Sequence, residues 1–173
     1  TSVSYVSGKI GNAGSFNGSS SNISIADNNN LSFTNGSGVD TPFSISMWLK
    51  LNNQSDQWII NKRLVTSGTD EYQVVYYQGK LSLWIFSSNN ANYIVCVMTS
   101  ALLSSTQYYI TATYDGSETT SGLKIYVNGV LQTTTNSMVG TYAGMPNGTA
   151  PVVIGKAGWF SGFYLNGTID ETA

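Results

Sequence analysis

Between Leu123 and Gln132 the chain has almost no choice of conformation. Leu123, Ile125 and Val127 alternate with Lys124 and Tyr126, the period of a strand with one buried face. Asn128-Gly129 breaks the run and Val130-Leu131-Gln132 starts back. A two-residue turn of this kind needs positive φ at both central positions, which Asn and Gly tolerate. A lone hairpin is marginal in water, so this one predicts further strands that share its apolar face.

The rest of the chain supplies them. Ile23 and Ile25 alternate with polar neighbours, and Phe43 to Leu51 puts five apolar side chains on one face with Trp48 on the other. Trp58-Ile59-Ile60 follows, then Tyr72 to Tyr77, joined through Gln78-Gly79-Lys80 to Leu81 to Phe86 as a second hairpin. Tyr93 to Met98, Tyr108 to Tyr114, Val152 to Ile154 and Thr168 to Asp170 complete the set. No segment carries an apolar 3.6-residue period. With 41% hydrophobic residues, the strands can bury a core despite long polar loops. Strands of this spacing between Gly/Asn/Ser clusters predict an all-β, two-layer antiparallel sandwich.

These residues also carry a resemblance. Gly8-Lys9-Ile10-Gly11-Asn12-Ala13, Phe16-Asn17-Gly18, Phe43-Ser44-Ile45-Ser46-Met47-Trp48, Tyr114-Asp115-Gly116, Leu123 to Gly129, Ile154-Gly155 and Gly167 to Glu171 stand in the order seen in laminin G-like domains. The chain thus resembles that branch of the concanavalin A-like lectin/glucanase superfamily over essentially its whole length. The resemblance implies a jelly roll of two curved antiparallel sheets and a glycan or protein ligand at the concave face or rim loops. It also implies a calcium ion near the paired chain ends, with Asp170 and the region of Asn17 as ligands. Gln107 departs from the family, which usually has Trp there. Starting at Thr1 without Met and stopping at Thr172-Ala173, the chain reads as one domain, residues 1–173, excised from a longer polypeptide.

Fold does not settle function here, because the superfamily holds hydrolases as well as binding modules. Glycoside cleavage needs two carboxylates about 5–10 Å apart, most simply at alternate positions of one strand. The nine acids, Asp27, Asp40, Asp56, Asp70, Glu71, Asp115, Glu118, Asp170 and Glu171, fall almost entirely in predicted loops and turns. With no histidine there is no Ser-His-Asp arrangement and no imidazole metal site. Cys96, between two valines, reads as a buried small hydrophobe. A net charge of −2 with 9% charged residues gives no footprint for nucleic acid. No apolar run reaches the roughly 18 residues of a membrane span. The expectation is a non-catalytic, lectin-like module.

Candidate site chemistry is therefore oxygen ligation and aromatic recognition. A His-free chain with scattered Asp and Asn offers calcium the oxygen ligands it takes. For Asp170 the alternative is a turn cap or a surface hydrogen bond. Trp159, Phe160, Phe163 and Tyr164 crowd into the Gly-punctuated stretch Lys156 to Tyr164, either displayed for interaction or folded back as a lid. Trp84 shares one strand face with Phe86, opposite Leu81, Leu83 and Ile85. If the aliphatic face is core, Trp84 stands outward and forms a stacking platform with Tyr77 across the hairpin. Asn89, Asn90, Asn92 and Lys156, near these platforms in sequence, are candidate polar contacts for sugar hydroxyls. Phe16, Phe43, Tyr114 and Trp48 read as buried strand aromatics. Asn17, Asn22, Asn30, Asn35, Asn53, Asn147 and Asn166 head Asn-X-Ser/Thr triplets, which are glycan acceptors in a secreted protein and chance in so Asn- and Ser-rich a chain. The function expected is adhesion to extracellular or cell-surface glycan. The alternative is a structural or virion-surface decoration domain that contacts a protein neighbour.

Overall fold

The computed structural model describes residues 2–35, 37–65, 70–87 and 89–173, with the side chains of Asn89 and Asn90 set aside. Among the described residues fourteen strands run in chain order as β1 (Ser4–Ser7), β2 (Asn12–Asn17), β3 (Ile23–Ile25), β4 (Phe43–Leu51), β5 (Gln57–Lys62), β6 (Tyr72–Tyr77) and β7 (Lys80–Ser87). Then come β8 (Asn89–Met98), β9 (Gln107–Tyr114), β10 (Leu123–Val127), β11 (Val130–Leu131), β12 (Thr134–Val139), β13 (Val152–Ile154) and β14 (Asn166–Asp170). They form two seven-stranded antiparallel sheets, ordered β1-β2-β14-β4-β9-β10-β11 and β12-β8-β7-β6-β5-β13-β3. The sheets pack face to face, so the expected concanavalin A-like jelly-roll sandwich is the fold.

Both hairpin readings hold. Asn128 and Gly129 have φ of 52° and 79°, and Gln78 and Gly79 have 50° and 76°, the positive pairs that such turns require. Alternation along β4 buries Phe43, Ile45, Met47, Leu49 and Leu51. These meet Ile110 and Ala112 of β9 and, from the second sheet, Val74, Tyr76, Leu81, Leu83, Ile85, Ile94 and Cys96 in one core. Burial pushes the Cys96 thiol up to about 12. Strands β1 and β12 escape a sequence reading because Ser4–Ser7 is exposed throughout and Thr134–Val139 is mostly polar. Pairing with a neighbouring strand, rather than a pattern of their own, makes them strands.

Two polar knots lie inside. Asp40 accepts the hydroxyls of Tyr114 and Tyr142 at 2.7 and 2.5 Å and the Met145 amide at 2.6 Å. Burial first, and then the Asp40 carboxylate, raise both phenols well above the ordinary tyrosine range. Lys62, fully buried, bonds Glu71 at 2.6 Å, Asp27 at 2.7 Å and the Gly148 carbonyl. Burial raises the Glu71 carboxyl while Lys62 pulls it back.

The calcium ligand pair does not assemble. In the β2–β14 register Asn17 faces Asn166, whereas Asp170 is four residues further along β14, which places them about 13 Å apart along the strands. Asp170 instead accepts the Lys9 and Ile10 amides at 2.7 and 3.1 Å, capping the β1–β2 turn. Asn17 Oδ1 accepts the amides of Ser19, Ser20 and Ser21. These two residues do not fit one shared ion. Similar turn chemistry accounts for other Asn-X-Ser triplets, since Asn35 accepts from the Ser37 amide and Asn53 from the Ser55 amide.

Candidate functional site

The outward positions of β5 to β8 carry large rings where solvent-facing polar residues are the rule. Pairing puts Trp58 beside Val75 and Gln73 beside Trp84, and the next strand sets Trp84 beside Val95 and Phe86 beside Tyr93. A bulge between Trp58 and Ile60 turns Ile59 and Ile60 both into the core while Trp58 faces out.

A groove in two lobes follows from this register. The first, of about 300 Å³, lies among Trp58, Val75, Phe86 and Tyr93, with Arg63 and Gln73 beside them. The second, of about 340 Å³, runs over Val95 and Val97 and is edged by the polar side chains of Gln78, Lys80, Ser82 and Ser137. Tyr77, Trp84 and Tyr93 border both lobes, so the two form one continuous surface. Trp84 is held in place: its indole N–H donates to Ser82 Oγ at 2.8 Å and its ring leans on Tyr93 at 4.8 Å.

The end of the groove at Trp58 is closed by the loop between β13 and β14. Asn61 holds that loop, donating to the Lys156 carbonyl at 2.7 Å and accepting the Gly158 amide at 3.0 Å. The Trp58 amide donates to the Phe163 carbonyl at 3.0 Å. Trp159 packs edge-on to Trp58 with centroids 5.9 Å apart, and Phe163 tilts on Trp58 at 4.6 Å. The loop is thus a lid at its base and displayed at its tip, where Phe160 is 53% exposed.

Arg63 fastens this end. Its guanidinium carbon lies 4.1 Å from the Phe86 ring centre and 4.3 Å from that of Trp159. Its Nε is 3.1 Å from Asp70, and an η nitrogen donates to Gln73 Oε1 at 3.1 Å, the atom that also accepts the Trp58 indole N–H at 3.0 Å. Burial pulls the guanidinium below its ordinary value and Asp70 opposes this. An arginine stays charged at neutral pH regardless.

The residues expected from sequence divide accordingly. Trp84 and Tyr77 share the groove, and Trp159 joins them through Trp58, so two separately expected platforms are one cluster. Phe160 meets Phe163 at 5.8 Å at the loop tip, outside both lobes. Lys156 and Tyr164 line neither lobe. Nor does Asn92: it shares the β8 parity of core residues Ile94 and Cys96, and its Oδ1 accepts the Thr141 amide at 2.9 Å. The Asn89 and Asn90 side chains fall outside the described residues. Trp48, expected opposite the core face of its strand and buried, is half-buried on the outer face of the other sheet, 5.2 Å from Tyr109. Sequence reading missed Trp58, Arg63, Gln73, Phe86 and Tyr93 as site members. The alternation of Tyr93, Val95 and Val97 on β8 was the available signal for Tyr93.

Three solved structures are similar in fold. The carbohydrate-binding module CBM40 of the Ruminococcus gnavus IT-sialidase, bound to α2,3-sialyllactose, superposes with a TM-score of 0.57 at 12% identity, covering 87% of this chain and 86% of that one. Domains LG4-5 of the mouse laminin α1 chain give 0.59 at 14% identity, covering 92% and 40%. A botulinum neurotoxin type C structure, whose cell entry is described as dependent on two ganglioside molecules, gives 0.63 at 17% identity, covering 99% and 40%. The chain therefore spans about 40% of the laminin and toxin chains it matches. No curated protein sequence matches it. A laminin G family model, described as the concanavalin A-like lectin/glucanases superfamily, matches residues 17–173, and the chain belongs to that family.

Proposed function

We propose that the domain is a non-catalytic carbohydrate-binding module that adheres to extracellular or cell-surface glycan through the groove over β5 to β8. The observation that carries this reading is the continuous strip of outward rings, Trp58, Trp84, Tyr77 and Tyr93, beside the polar side chains of Gln78, Ser82 and Ser137. Flat rings cover the C–H faces of pyranoses and a few polar groups fix the hydroxyls. No Asp or Glu lines either lobe among the described residues, so the groove lacks the paired carboxylates that glycoside cleavage uses. The similar structures add only that this sandwich is a frame on which sugar sites are built, since likeness of fold is not likeness of ligand.

The test is a glycan array probed with the parent and with Trp84→Ala. The reading expects a set of glycans bound by the parent and lost by the variant, with no release of reducing sugar. Equal binding by both proteins, or none by either, overturns it. A protein neighbour, at a cell or virion surface, is the second reading. It is favoured by Phe160, which stands exposed at the loop tip beyond the groove. Replacing Phe160 alone with Ser separates the two, because Phe160 lies outside both lobes: glycan binding through the groove survives that change and a protein contact at the loop tip does not.

A further inference from the structure

Resting on the groove as a glycan site, we infer that its ligand class is a neutral oligosaccharide of two or more pyranose rings, and that Arg63 serves as a strut and not as a reader of acidic sugars. Arg63 and Lys80 are the cations among the residues lining the two lobes. A site for sialic, uronic or sulfated sugars needs a cation free to meet the anion, most effectively an arginine presenting its fork. Arg63 does not present one. Its guanidinium carbon lies over the rings of Phe86 and Trp159, its Nε meets Asp70, and an η nitrogen is spent on Gln73.

Asp70 decides the sign of the site. It is 2% exposed and already neutralises the buried guanidinium. A ligand carboxylate reaching Arg63 has to settle near a second carboxylate in a poorly solvated place, and like charges so placed disfavour each other. Lys80 is no substitute. It is exposed at the rim, and its hydrated ammonium on a flexible stem gives a surface pair little net energy. What remains for recognition is ring faces, hydroxyls and carboxamides, the chemistry of neutral sugars.

Length follows from the partition at Trp84. The ring, fixed by Ser82 and Tyr93, has a lobe of about 300 Å³ on one side and about 340 Å³ on the other. A single sugar ring fills one lobe, and a disaccharide or longer chain passes across Trp84 and uses both. The lobe against Trp58 and Phe86 is walled mainly by rings, and the other is edged by Gln78, Lys80, Ser82 and Ser137.

The experiment is a calorimetric or NMR titration of the intact domain. The probes are neutral cello-, malto- and N-acetyllactosamine oligosaccharides of one to four rings, together with sialylated and sulfated counterparts of the same lengths. Expected is binding to a neutral member about tenfold tighter than to its acidic counterpart, and at least about tenfold tighter for two rings than for one. The affinity is expected to change less than about twofold between roughly 0.05 and 0.5 M salt, because no charge pair is formed on binding. Binding confined to acidic members, or lost steeply with salt, overturns the neutral class while leaving the groove a glycan site. Equal affinity for one ring and two overturns the two-lobe assignment. Silence of every probe, acidic ones included, overturns the glycan reading itself. Asp70→Asn serves as a second readout: freeing Arg63 from its counter-charge is expected to raise affinity for the acidic members relative to the neutral ones. An unchanged ratio in that variant counts against Asp70 as the residue that excludes anions.

Discussion

The two outer faces of this sandwich are built by the same strand alternation and come out as opposites. On the β4–β9–β10 face the outward residues are Ser44, Ser46, Lys50, Gln107, Thr111, Thr113 and Lys124, interrupted by Tyr126 and by the Trp48–Tyr109 pair with Lys9 over the Trp48 ring. On the β5–β8 face they include Trp58, Val75, Tyr77, Trp84, Phe86, Tyr93, Val95 and Val97, with Gln73, Lys80 and Ser82 among them. Folding requires one apolar face per sheet, and the core already supplies it. The apolar outer face of β5–β8 is surplus to that requirement, and a groove open at Tyr77, Trp84, Tyr93 and Val97 with polar edges is what a ligand site needs.

Substituting Trp on each face breaks the comparison most sharply. Trp58→Ala removes a ring that is 7% exposed and roofed by Trp159 and Phe163. The expected loss is about 3–5 kcal/mol of stability, a fall in Tm of about 6–20 °C for a domain of this size. Trp48→Ala on the polar face removes a half-buried cross-strand partner, with an expected cost of about 1 kcal/mol and unchanged glycan binding. Thermal melts of the two variants in parallel check this. Near-equal losses would mean that both faces are structural.

Trp84→Ala separates display from packing within the groove. The ring is half-buried against Tyr93, so the expected stability loss stays under about 2 kcal/mol, while glycan affinity falls by at least about tenfold. Trp159→Ala is expected to lower both, since its ring contacts Trp58 and Arg63 and not the shared wall of the lobes. A Trp84 variant that melts far below the parent would assign that ring to the core.

Alkaline pH tests the interior between the faces. Burial raises the phenols of Tyr72, Tyr114 and Tyr142 in the fold, so the unfolded chain releases those protons first. Their contribution is complete below the unfolded value of about 10 and is lost as pH climbs above it. The expected record is a Tm that drops steeply beyond about pH 10, with the phenolate absorbance of these residues appearing only on unfolding. The smallest effect is at Cys96, raised by burial to about 12. Its contribution is likewise full below the unfolded thiol value and lost toward about 12, and the native protein is expected to resist thiol reagents that label it at once in denaturant.

Much of this was legible in the chain. Two hairpins, the aliphatic inner face of Leu81, Leu83 and Ile85, the outward Trp84 and the family resemblance all rest on local period and turn chemistry, which the backbone imposes residue by residue. Period tells which way a side chain points within its strand. It says nothing of which strands adjoin, or in what register. Trp58, Trp84 and Trp159 lie on β5, β7 and the loop before β14, and they meet only because β6 separates β5 from β7 and Asn61 pins that loop. The family resemblance suggested Asn17 and Asp170 for one ion, whereas the β2–β14 pairing holds them at opposite ends. Nearness in sequence placed Asn92 at a groove from which its β8 parity turns it away. The sequence by itself determined the strands, their faces and the sandwich. Long-range pairing, together with one bulge between Trp58 and Ile60, decided that the scattered rings form a single groove and that its buried arginine is already matched by an aspartate.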